Sequence, residues 1–552
     1  MLINLLNISK TIGVKKLYAG LNLTIQPGEK IGLIGRNGIG KTTLLGIMAG
    51  SDPDYSGNVE KRRSLVIAST AQEHHDVMER PVMEYVLENL PEYAKLKHVI
   101  DTSPDTMGDD MDKISSYTDA LGRFGELGYY DIEEKVRMEF EAFQLPAERL
   151  SGPMSALSGG QKRFVELVKV TLSDADLALI DEPTNHMDYV AKETFIKWLE
   201  AAEQAVVVIT HDRDVLAKVD RIVEMKGHGV VNFPGNYEAY LKQNGAATAK
   251  EIDTYENAQK RLIKLEKQIR EARSRKAGWS GTADKTNPFM LLERRLSKER
   301  DELLANLKKP DFWIDQETID TLQDKVVAKY DKYKARNIKL RTHGEHRQRR
   351  LLAVNQVTLG YEPKPLFQPV SFDLAVGERL QIHGRNGIGK STLIKALLAR
   401  AGNRPAASRL LSGTMEVDPK TVIGVYEQEI DSRYLHLPLA AAIARVYTDH
   451  DVAVTDQKIK QVLAENLFDP VQDGRLAIER LSGGQKARFQ LIAMLCHNPN
   501  LLILDEPTNH LDLPSIEELE KALSRYAGAI LYISHDSYFA NNVGGELVEI
   551  KA

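Results

Sequence analysis

The sequence predicts an α/β protein in which two P-loop domains are joined by a long helical hairpin connector. Three observations predict this organisation. A set of four motifs occurs twice in the same order, strand-length apolar runs alternate with helical patterns in both copies, and a basic segment with helical periodicity separates the copies. Continuous apolar runs that alternate with helices are typical of buried parallel strands in an α/β sheet.

The repeat divides the 552 residues into three parts. We place the first P-loop domain at residues 1–241, the connector at 242–347 and the second P-loop domain at 348–552. The first domain carries an insertion at about 92–128, centred on the acidic stretch Asp101–Asp110. Its composition favours a protein-contacting or merely solvated loop over an RNA-binding element.

Four short motifs make up the repeated set. They are the glycine-rich loop Gly35–Thr43, which returns as Gly384–Thr392; the LSGGQ motif Leu157–Gln161, which returns as Leu481–Gln485; the motif Asp181–His186, which returns as Asp505–His510; and His211, which returns as His535. Because four motifs in a fixed order do not recur by chance, we predict a tandem ATPase.

The apolar runs place these motifs directly after strands. Ile31–Ile34 leads into the first glycine-rich loop, Leu177–Ile180 ends at Asp181, and Ala205–Ile209 ends just before His211. In the second copy, Leu501–Leu504 and Ile530–Ile533 occupy the corresponding places. The motif residues therefore follow buried strands.

The glycine-rich loops fit the phosphates of ATP. Glycine lets backbone N–H groups turn inward around phosphate oxygens, at the positive end of the following helix. Lys41 and Lys390 would reach the β- and γ-phosphates. The predicted ATP-binding residues of the two loops are Gly35, Arg36, Asn37, Gly38, Ile39, Gly40, Lys41, Thr42, Thr43, Gly384, Arg385, Asn386, Gly387, Ile388, Gly389, Lys390, Ser391 and Thr392.

A Mg²⁺ ion is expected beside each set of phosphates, because hydroxyl and carboxylate oxygens are its preferred ligands. The predicted Mg²⁺ ligands are Thr42, Gln72 and Asp181 in the first copy and Ser391, Gln428 and Asp505 in the second. The two glutamines could contact either the metal or the attacking water.

Glu182 and Glu506 are the predicted catalytic bases, because each follows a Mg²⁺ aspartate and could deprotonate the attacking water. His211 and His535 are predicted to reach a γ-phosphate oxygen. The alternatives are a helix-capping role for each glutamate and a buried core position for each histidine.

The LSGGQ motif makes chemical sense only as half of an ATP-binding site, because each domain already has its own phosphate-binding loop. A helix that opens with serine and glycine offers a second phosphate-binding N-terminus. The chain would then close head to tail as a pseudo-dimer around two ATP molecules, each held by one P-loop and the other domain's LSGGQ. The predicted contact residues are Ser158, Gly159, Gly160, Gln161, Ser482, Gly483, Gly484 and Gln485.

The two sites are expected to differ in affinity. Tyr361 is placed to stack on adenine, whereas its counterpart in the first copy is Ile12. The alternative is that Tyr361 simply packs on its own strand.

The connector has the pattern of an antiparallel coiled-coil hairpin. Apolar residues recur every three or four positions from Ile252 to Ala272 and again from Phe289 to Leu307, and the turn-rich stretch Ala277–Pro288 separates the runs. A third helix is predicted at Thr318–Leu340. Residues 241–350 carry a net charge of about +10, against about −15 for the rest of the chain. This asymmetry favours a polyanionic partner, with a solvated helix face as the alternative.

The composition argues against a membrane-embedded or disordered protein. With 42% hydrophobic and 27% charged residues, the chain resembles a globular protein, and its apolar runs are too short to span a bilayer. We expect no membrane insertion, no signal peptide and a cytoplasmic location. Cys496, the sole cysteine, is expected to be a buried inert thiol.

These motifs resemble the ABC superfamily and, among its branches, the ABC-F proteins. Transporter ATPases generally carry Ser-Ala-Leu-Asp after Asp-Glu-Pro-Thr. Here the Asn-His form typical of ABC-F occurs at Thr184–Asp188 and Thr508–Asp512, and Phe233–Tyr240 is similar to the segment that ends the first ABC-F domain.

This resemblance implies binding in the ribosomal E site. In characterised ABC-F proteins the hairpin reaches toward P-site tRNA, ATP holds the bound form and hydrolysis releases it. The hairpin Thr248–Lys309 would then contact rRNA, with Trp279, Phe289 and Met290 either stacking on unpaired bases or packing its own tip. Lys309–Asp315 is similar to members that confer resistance to ribosome-targeting antibiotics. Two other classes stay open: the ATP-binding subunit of a transporter, and an ABC ATPase acting on DNA or as a non-ribosomal regulator.

Overall fold

The structure is a computed structural model, and it describes most of the chain. The described residues are 1–13, 15–71, 78–106, 108, 110–143, 145–157, 159–185, 187–226, 229–277, 288–306, 349–361, 364–402, 409–427, 430–466, 468–481, 483–509 and 511–551. Several sequence predictions therefore lie outside the described residues. They concern Gln72, Gln428, Ser158, Ser482, Trp279, the segment 309–315 and the helix at 318–340.

The first P-loop domain is built on two sheets. A six-stranded sheet has the order β5-β6-β7-β3-β8-β9, and a three-stranded antiparallel sheet has the order β2-β1-β4. The strands are β1 (Ile3–Ile12), β2 (Lys15–Ile25), β3 (Lys30–Gly35), β4 (Ser56–Lys61), β5 (Ile67–Ser69), β6 (Leu177–Asp181), β7 (Ala205–Ile209), β8 (Arg221–Lys226) and β9 (Gly229–Pro234). In the larger sheet β5, β6, β7, β3 and β8 are parallel, and β6 and β7 are buried at every residue.

The helices of this domain lie around the sheets. They are α1 (Lys41–Ala49), α2 (Val82–Glu88), α3 (Tyr93–Thr106), α4 (Met111–Glu126), α5 (Ile132–Ala142), α6 (Gly159–Leu172), α7 (Tyr189–Ala201) and α8 (Arg213–Leu216). The prediction of a loop at 92–128 is wrong, because α3 and α4 form a packed helical pair there. The rings of Tyr93, Phe124 and Tyr129 lie within 5.3–5.7 Å of one another, and Asp110 caps the N-terminus of α4.

The connector forms a compact unit of its own, Glu238–Arg336, separate from the unit that contains both P-loop domains. Its described helices are α9 (Tyr237–Ala277) and α10 (Pro288–Asn306). Two ion pairs, Arg261–Glu299 and Arg273–Glu293, run in opposite order along the helices and show that α9 and α10 are antiparallel. On α9, Leu265, Ile269 and Ala272 are buried, as the apolar stripe in the sequence predicts.

The second P-loop domain repeats the first. Its five-stranded parallel sheet has the order β15-β16-β17-β13-β18, and β10 pairs with β11, β12 and β14 in a separate antiparallel sheet. The strands are β10 (Arg350–Tyr361), β11 (Lys364–Pro365), β12 (Val370–Ala375), β13 (Arg379–His383), β14 (Arg409–Val417), β15 (Ile423–Tyr426), β16 (Leu501–Asp505), β17 (Ala529–Ile533) and β18 (Glu546–Glu549). The helices are α11 (Lys390–Arg400), α12 (Ser432–Leu435), α13 (Leu439–Asp449), α14 (Asp456–Glu465), α15 (Gly483–Leu495), α16 (Leu513–Ser524) and α17 (Ser537–Val543).

Candidate active site

Strand order brings the motif residues of the first domain together. Strand β7 lies between β3 and β6, so the P-loop after β3, Asp181 at the end of β6 and His211 after β7 meet at one sheet edge. This edge, at the carboxyl ends of parallel strands, is where open α/β sheets bind ligands. The same order of β13, β17 and β16 assembles the motifs of the second domain.

The P-loop turns tightly because glycine occupies its strained positions. Gly40 caps α1 in the left-handed region, with φ of 101°. A Cβ there would lie 2.9 Å from side-chain atoms of Leu17 and Tyr18. No other residue could hold the loop this close to β2. Gly389, with φ of 108°, caps α11 in the same way.

Each P-loop lysine is folded back toward its own loop. The Lys41 Nζ donates to the Gly35 carbonyl at 2.7 Å and lies 3.3 Å from the His211 Nε2. The Lys390 Nζ donates to the Gly384 carbonyl at 2.7 Å and lies 3.2 Å from the His535 Nε2. Burial lowers the pKa of both lysines, and nearby carboxylates partly offset this effect. A phosphate would replace these carbonyls as the acceptor.

The predicted Mg²⁺ ligands are adjacent in both sites. The Thr42 Oγ1 donates to the Asp181 Oδ2 at 2.6 Å. Ser391 makes the equivalent hydrogen bond to Asp505, whose pKa burial raises. A hydroxyl and a buried carboxylate in contact form an oxygen donor set that suits Mg²⁺. The chemistry of these residues therefore fits the ion.

The two predicted bases have an unusual backbone conformation. Glu182 and Glu506 have φ of 46° and 47°, in the left-handed region that non-glycine residues seldom adopt. Their N–H groups donate to Ile209 and Ile533 at 2.8 and 3.0 Å, which holds this conformation. Backbone strain of this kind costs about 1–3 kcal/mol and clusters at functional sites.

Burial tunes the acid–base groups of both sites. It raises the pKa of Glu182 to about 8 and that of Glu506 to about 7, against the lowering effect of Lys41 and Lys390. It lowers the pKa of His211 and of His535 to about 3. Each histidine Nε2 lies 3.3–3.5 Å from its glutamate Oε1. The histidines are therefore neutral, and the glutamates are poised near neutral pH to accept a proton.

The two domains jointly enclose a cavity of about 1300 Å³. Lys390, Ser391 and Glu506 line it from the second domain, and Gly160 and Gln161 of the first LSGGQ line it from the other side. Asn37 and Gly38 also line it, whereas Gln485, in the first turn of α15, is not among the described residues that line it.

Reciprocal hydrogen bonds join each P-loop to the other domain. The Asn37 N–H donates to the Asp512 carboxylate at 3.2 Å, and the Asn386 N–H donates to the Asp188 carboxylate at 3.1 Å. Each aspartate also caps the helix that follows it, α16 or α7. In the sequence, Asp188 and Asp512 stand out only as the last residues of the family-typical Asn-His segments. Their position right after the Asn-His pairs was the signal that could have revealed this role.

Three buried charged residues at the domain contact were missed by the sequence analysis. The Arg213 Nη1 donates to the Glu520 Oε1 at 3.0 Å, with side chains only 1% and 6% exposed. The Lys192 Nζ donates to the Asp214 carboxylate at 2.5 Å and to the His535 carbonyl at 2.8 Å. Lys192 thus joins the first domain to the histidine loop of the second.

The residues proposed to distinguish the adenine pockets lie at equivalent strand ends. Ile12 ends β1 and is exposed, and Tyr361 ends β10. The position of the Tyr361 side chain is outside the described part of the chain, so its stacking stays a prediction.

Each domain carries a P-loop lysine, a hydroxyl–aspartate pair and a glutamate–histidine pair. This repeated set defines a tandem P-loop ATPase. The family model described as "ABC transporter" matches residues 18–185 and 367–509, and a second model with the same description matches 223–287. The chain belongs to the ABC family of ATPases, in its F branch, and hydrolyses ATP.

Full-length relatives agree with this assignment. The chain is 29% identical to "Probable ATP-binding protein YbiT" of Escherichia coli O157:H7, over 99% of this chain and 95% of the relative. It is 28% identical to "ABC transporter F family member 5" of Arabidopsis thaliana, over 98% and 75%.

A solved structure shares the fold. It is a complex of the archaeal ribosomal stalk protein aP1 with the archaeal ribosome recycling factor aABCE1. The TM-score is 0.55, and the sequences are 16% identical over 99% of this chain and 89% of that one.

Among the described helices of the present chain, none has the length and apolarity needed to cross a bilayer.

Proposed function

We propose that this protein is a cytoplasmic, ATP-dependent ribosome-binding factor. It binds the ribosomal E site with two ATP and Mg²⁺ and acts on translation through the connector, which contacts rRNA and P-site tRNA. Hydrolysis then releases it. The observation that carries the proposal is a hairpin with an apolar seam and an exposed basic surface, attached to an F-branch ATPase.

The charge distribution of α9 supports an RNA partner. Lys264, Lys267 and Arg270 are exposed beside the buried Leu265 and Ile269. Arg261 and Arg273, by contrast, pair with glutamates of α10 and contribute to the hairpin itself. The first three cations are therefore the ones that suit phosphates. Each phosphate contact they make would add roughly 0.7–0.9 to the log–log salt dependence of binding.

The chain's own residues supply the switch between binding and release. Lys41 and Lys390 bind phosphate oxygens, and Thr42, Asp181, Ser391 and Asp505 hold Mg²⁺, which when bound neutralises phosphate charge. Glu182 and Glu506 orient and deprotonate the attacking water. LSGGQ residues of the opposite domain complete each site, so ATP favours the closed pair of domains.

Blocking hydrolysis without blocking ATP binding provides the first test. The double variant E182Q/E506Q should co-sediment with 70S ribosomes in the presence of ATP and should inhibit in-vitro translation. ATP binding can still close the two domains, but without hydrolysis they cannot reopen. The matched control K41A/K390A should not co-sediment, because it cannot bind the phosphates. Naked DNA should not compete for the first variant. Normal ATP turnover by E182Q/E506Q, or equal sedimentation of both variants, would contradict the proposal.

The connector provides the second test. Neutralising Lys264, Lys267 and Arg270 to glutamine should lower the log–log salt slope of ribosome binding by roughly 2 to 3 if each contacts a phosphate. Basal ATPase activity should be retained, since none of these residues belongs to an ATP site. The control is neutralisation of Lys197, Lys218 and Lys460, which are exposed on the ATPase domains. An unchanged slope in the connector variant would exclude this surface.

Protection against ribosome-targeting antibiotics is the narrower form of the proposal. It rests on the resemblance of Lys309–Asp315 to resistance-conferring members. In-vitro translation with a peptidyl-transferase inhibitor should recover when the wild-type protein is added and should not recover with K41A/K390A. Recovery that is equal for both proteins would rule this form out.

A further inference from the structure

A group of side chains outside the ATP sites brings together three ligands of the kind that bind transition metals. His450 lies at the C-terminal end of α13, and Cys496 and His497 follow α15. One ligand atom from each residue lies within 4.8 Å of the others. Because α15 has 13 residues and begins in the second LSGGQ motif, the group is about 20 Å from that motif.

Two of the ligands already have the separation that a shared metal requires. The Cys496 Sγ and the His497 Nδ1 are 3.4 Å apart. For Zn–S of about 2.3 Å and Zn–N of about 2.0–2.1 Å, tetrahedral geometry sets sulfur and nitrogen at about 3.5 Å. In the absence of a metal, a hydrogen bond from the thiol to the ring gives the same distance, and a bound metal would replace it.

The tautomer of His497 favours a metal. Its Nε2 lies 2.9 Å from the carbonyl oxygen of Ile423, at the start of β15. A carbonyl oxygen only accepts, so Nε2 carries the proton and the lone pair of Nδ1 faces Cys496. Metal-binding histidines almost always donate their other ring N–H to a carbonyl or carboxylate, which fixes the ring. His497 therefore has the orientation of a metal ligand.

His450 supplies the third ligand from a different helix. Its ring stacks on that of His497 at 4.2 Å with an angle of 10° between the planes, and its side chain is exposed. Partial burial of the ring, and then the neighbouring His497, lowers the pKa of His450, which favours the neutral form that a metal binds. Parallel rings do not aim their lone pairs at one point, but an exposed side chain can rotate to do so.

We propose that His450, Cys496 and His497 bind one thiophilic divalent metal ion, with Zn²⁺ as the first choice and water as its fourth ligand. Imidazole and thiolate ligands together select such ions over Mg²⁺. Burial raises the pKa of the Cys496 thiol to about 12, so binding must displace the thiol proton. The S–H bond breaks, the S–metal bond forms, and one proton passes to the buffer.

A metal here would be structural. It would join the ends of α13 and α15, while His497 stays bonded to β15. Since the ATP-binding residues lie at the opposite end of α15, the site is predicted to change stability rather than the chemistry of hydrolysis.

Co²⁺ is the probe of choice, because a thiolate ligand gives a charge-transfer band that oxygen and nitrogen ligands do not. Cys496 is the sole cysteine of the chain, so such a band can come from no other residue. Titration of the reduced, nucleotide-free full-length protein with Co²⁺ should give the band at one equivalent, with release of one proton, and Zn²⁺ should abolish it. Cys496→Ser should lose the band while keeping basal ATPase activity as evidence of folding.

If Co²⁺ binding depends on both histidines, the ion is bound by a three-residue metal site and not by a lone reactive thiol. His450→Ala and His497→Ala should each weaken Co²⁺ binding more than about tenfold, the scale for loss of a partner that supports a metal ligand. His436→Ala, an exposed histidine of the same domain, should have no effect. Absence of the band at saturating Co²⁺, or unchanged affinity in His450→Ala, would overturn the proposal.

Discussion

Arg213 is the residue whose loss should most weaken closure of the two P-loop domains. It is 1% exposed, and its guanidinium is the cation for a group of acidic residues of the second domain: Glu520 at 3.0 Å, with Asp536 and Glu517 nearby. Burial alone would lower the pKa of Arg213, but Tyr237 and these carboxylates hold it well above its usual value. Replacing Arg213 with Met would keep the volume and leave several buried carboxylates without a cation.

The expected cost is about 3–5 kcal/mol, the size measured when one partner of a buried pair is removed. At 1.4 kcal/mol per factor of ten, closure should weaken by more than about 100-fold. The matched control is Lys218→Met, which removes the cation of the exposed Lys218–Glu200 pair at 2.7 Å. Because exposed pairs contribute about 0–1 kcal/mol, the control should shift closure by no more than about fivefold.

The assay is energy transfer between dyes on the two P-loop domains, titrated with ATP at pH 8 in the hydrolysis-deficient E182Q/E506Q background. The ATP concentration at half-maximal closure gives the shift directly. Arg213→Lys should fall between the wild type and Arg213→Met, because it keeps the charge but not the planar hydrogen-bonding geometry. Equal midpoints for Arg213→Met and Lys218→Met would refute the reasoning.

Three further predictions concern other residues of the sites. Lys192→Met should lower turnover mainly at the second site, measured with the first P-loop lysine disabled, because Lys192 holds the His535 carbonyl; equal losses at both sites would contradict this. Thr42→Ala should raise the Mg²⁺ concentration needed for half-maximal ATPase activity at the first site, because it removes the hydroxyl beside Asp181; an unchanged requirement would exclude that role. Burial raises the pKa of Glu520 to about 7 from its ordinary 4.5, against the lowering effect of Arg213. Its protonated form thus favours closure, so closure should weaken as pH rises from about 4.5 to 7, and Glu520→Gln should flatten that dependence.

Local patterns predicted the elements that carry the ATP-binding motifs. The apolar runs before Asp181 and Asp505 coincide with β6 and β16, and those before His211 and His535 coincide with β7 and β17. A continuously apolar strand is buried on both faces, so its pattern does not depend on distant partners. The meeting of the motifs at one sheet edge depends on the order of the strands in the sheet. The apolar runs predict where each strand lies along the chain, but they do not predict that order.

The insertion in the first domain shows where composition misleads. Asp101–Asp110 is acidic, yet residues 101–106 complete α3. The packing of Tyr93 against Phe124 and Tyr129 stabilises the helical pair, and these aromatic residues lie outside the acidic centre on which the expectation of a loop was based. Contacts between residues distant from the acidic stretch therefore stabilise helices where the local composition predicts a loop.

The ionic residues between the domains could not be predicted for a different reason. Arg213 and Glu520 are 307 positions apart, and each by itself is an ordinary charged residue on a helix. Only the closed arrangement shows that both are buried. Sequence reasoning did predict that the domains close head to tail, but not which side chains determine how tightly they close.

The Arg213–Glu520 contact has no counterpart on the other side of the pseudo-dimer. In the aligned motifs, Arg213 corresponds to Ser537, and Glu520 corresponds to Ile196. If the first domains of two separate molecules associated with each other, each would bury an arginine opposite an isoleucine. Two associating second domains would each bury a glutamate opposite a serine. Both pairings leave charges without partners, so this ion pair favours the association of a first domain with a second domain over the association of two like domains.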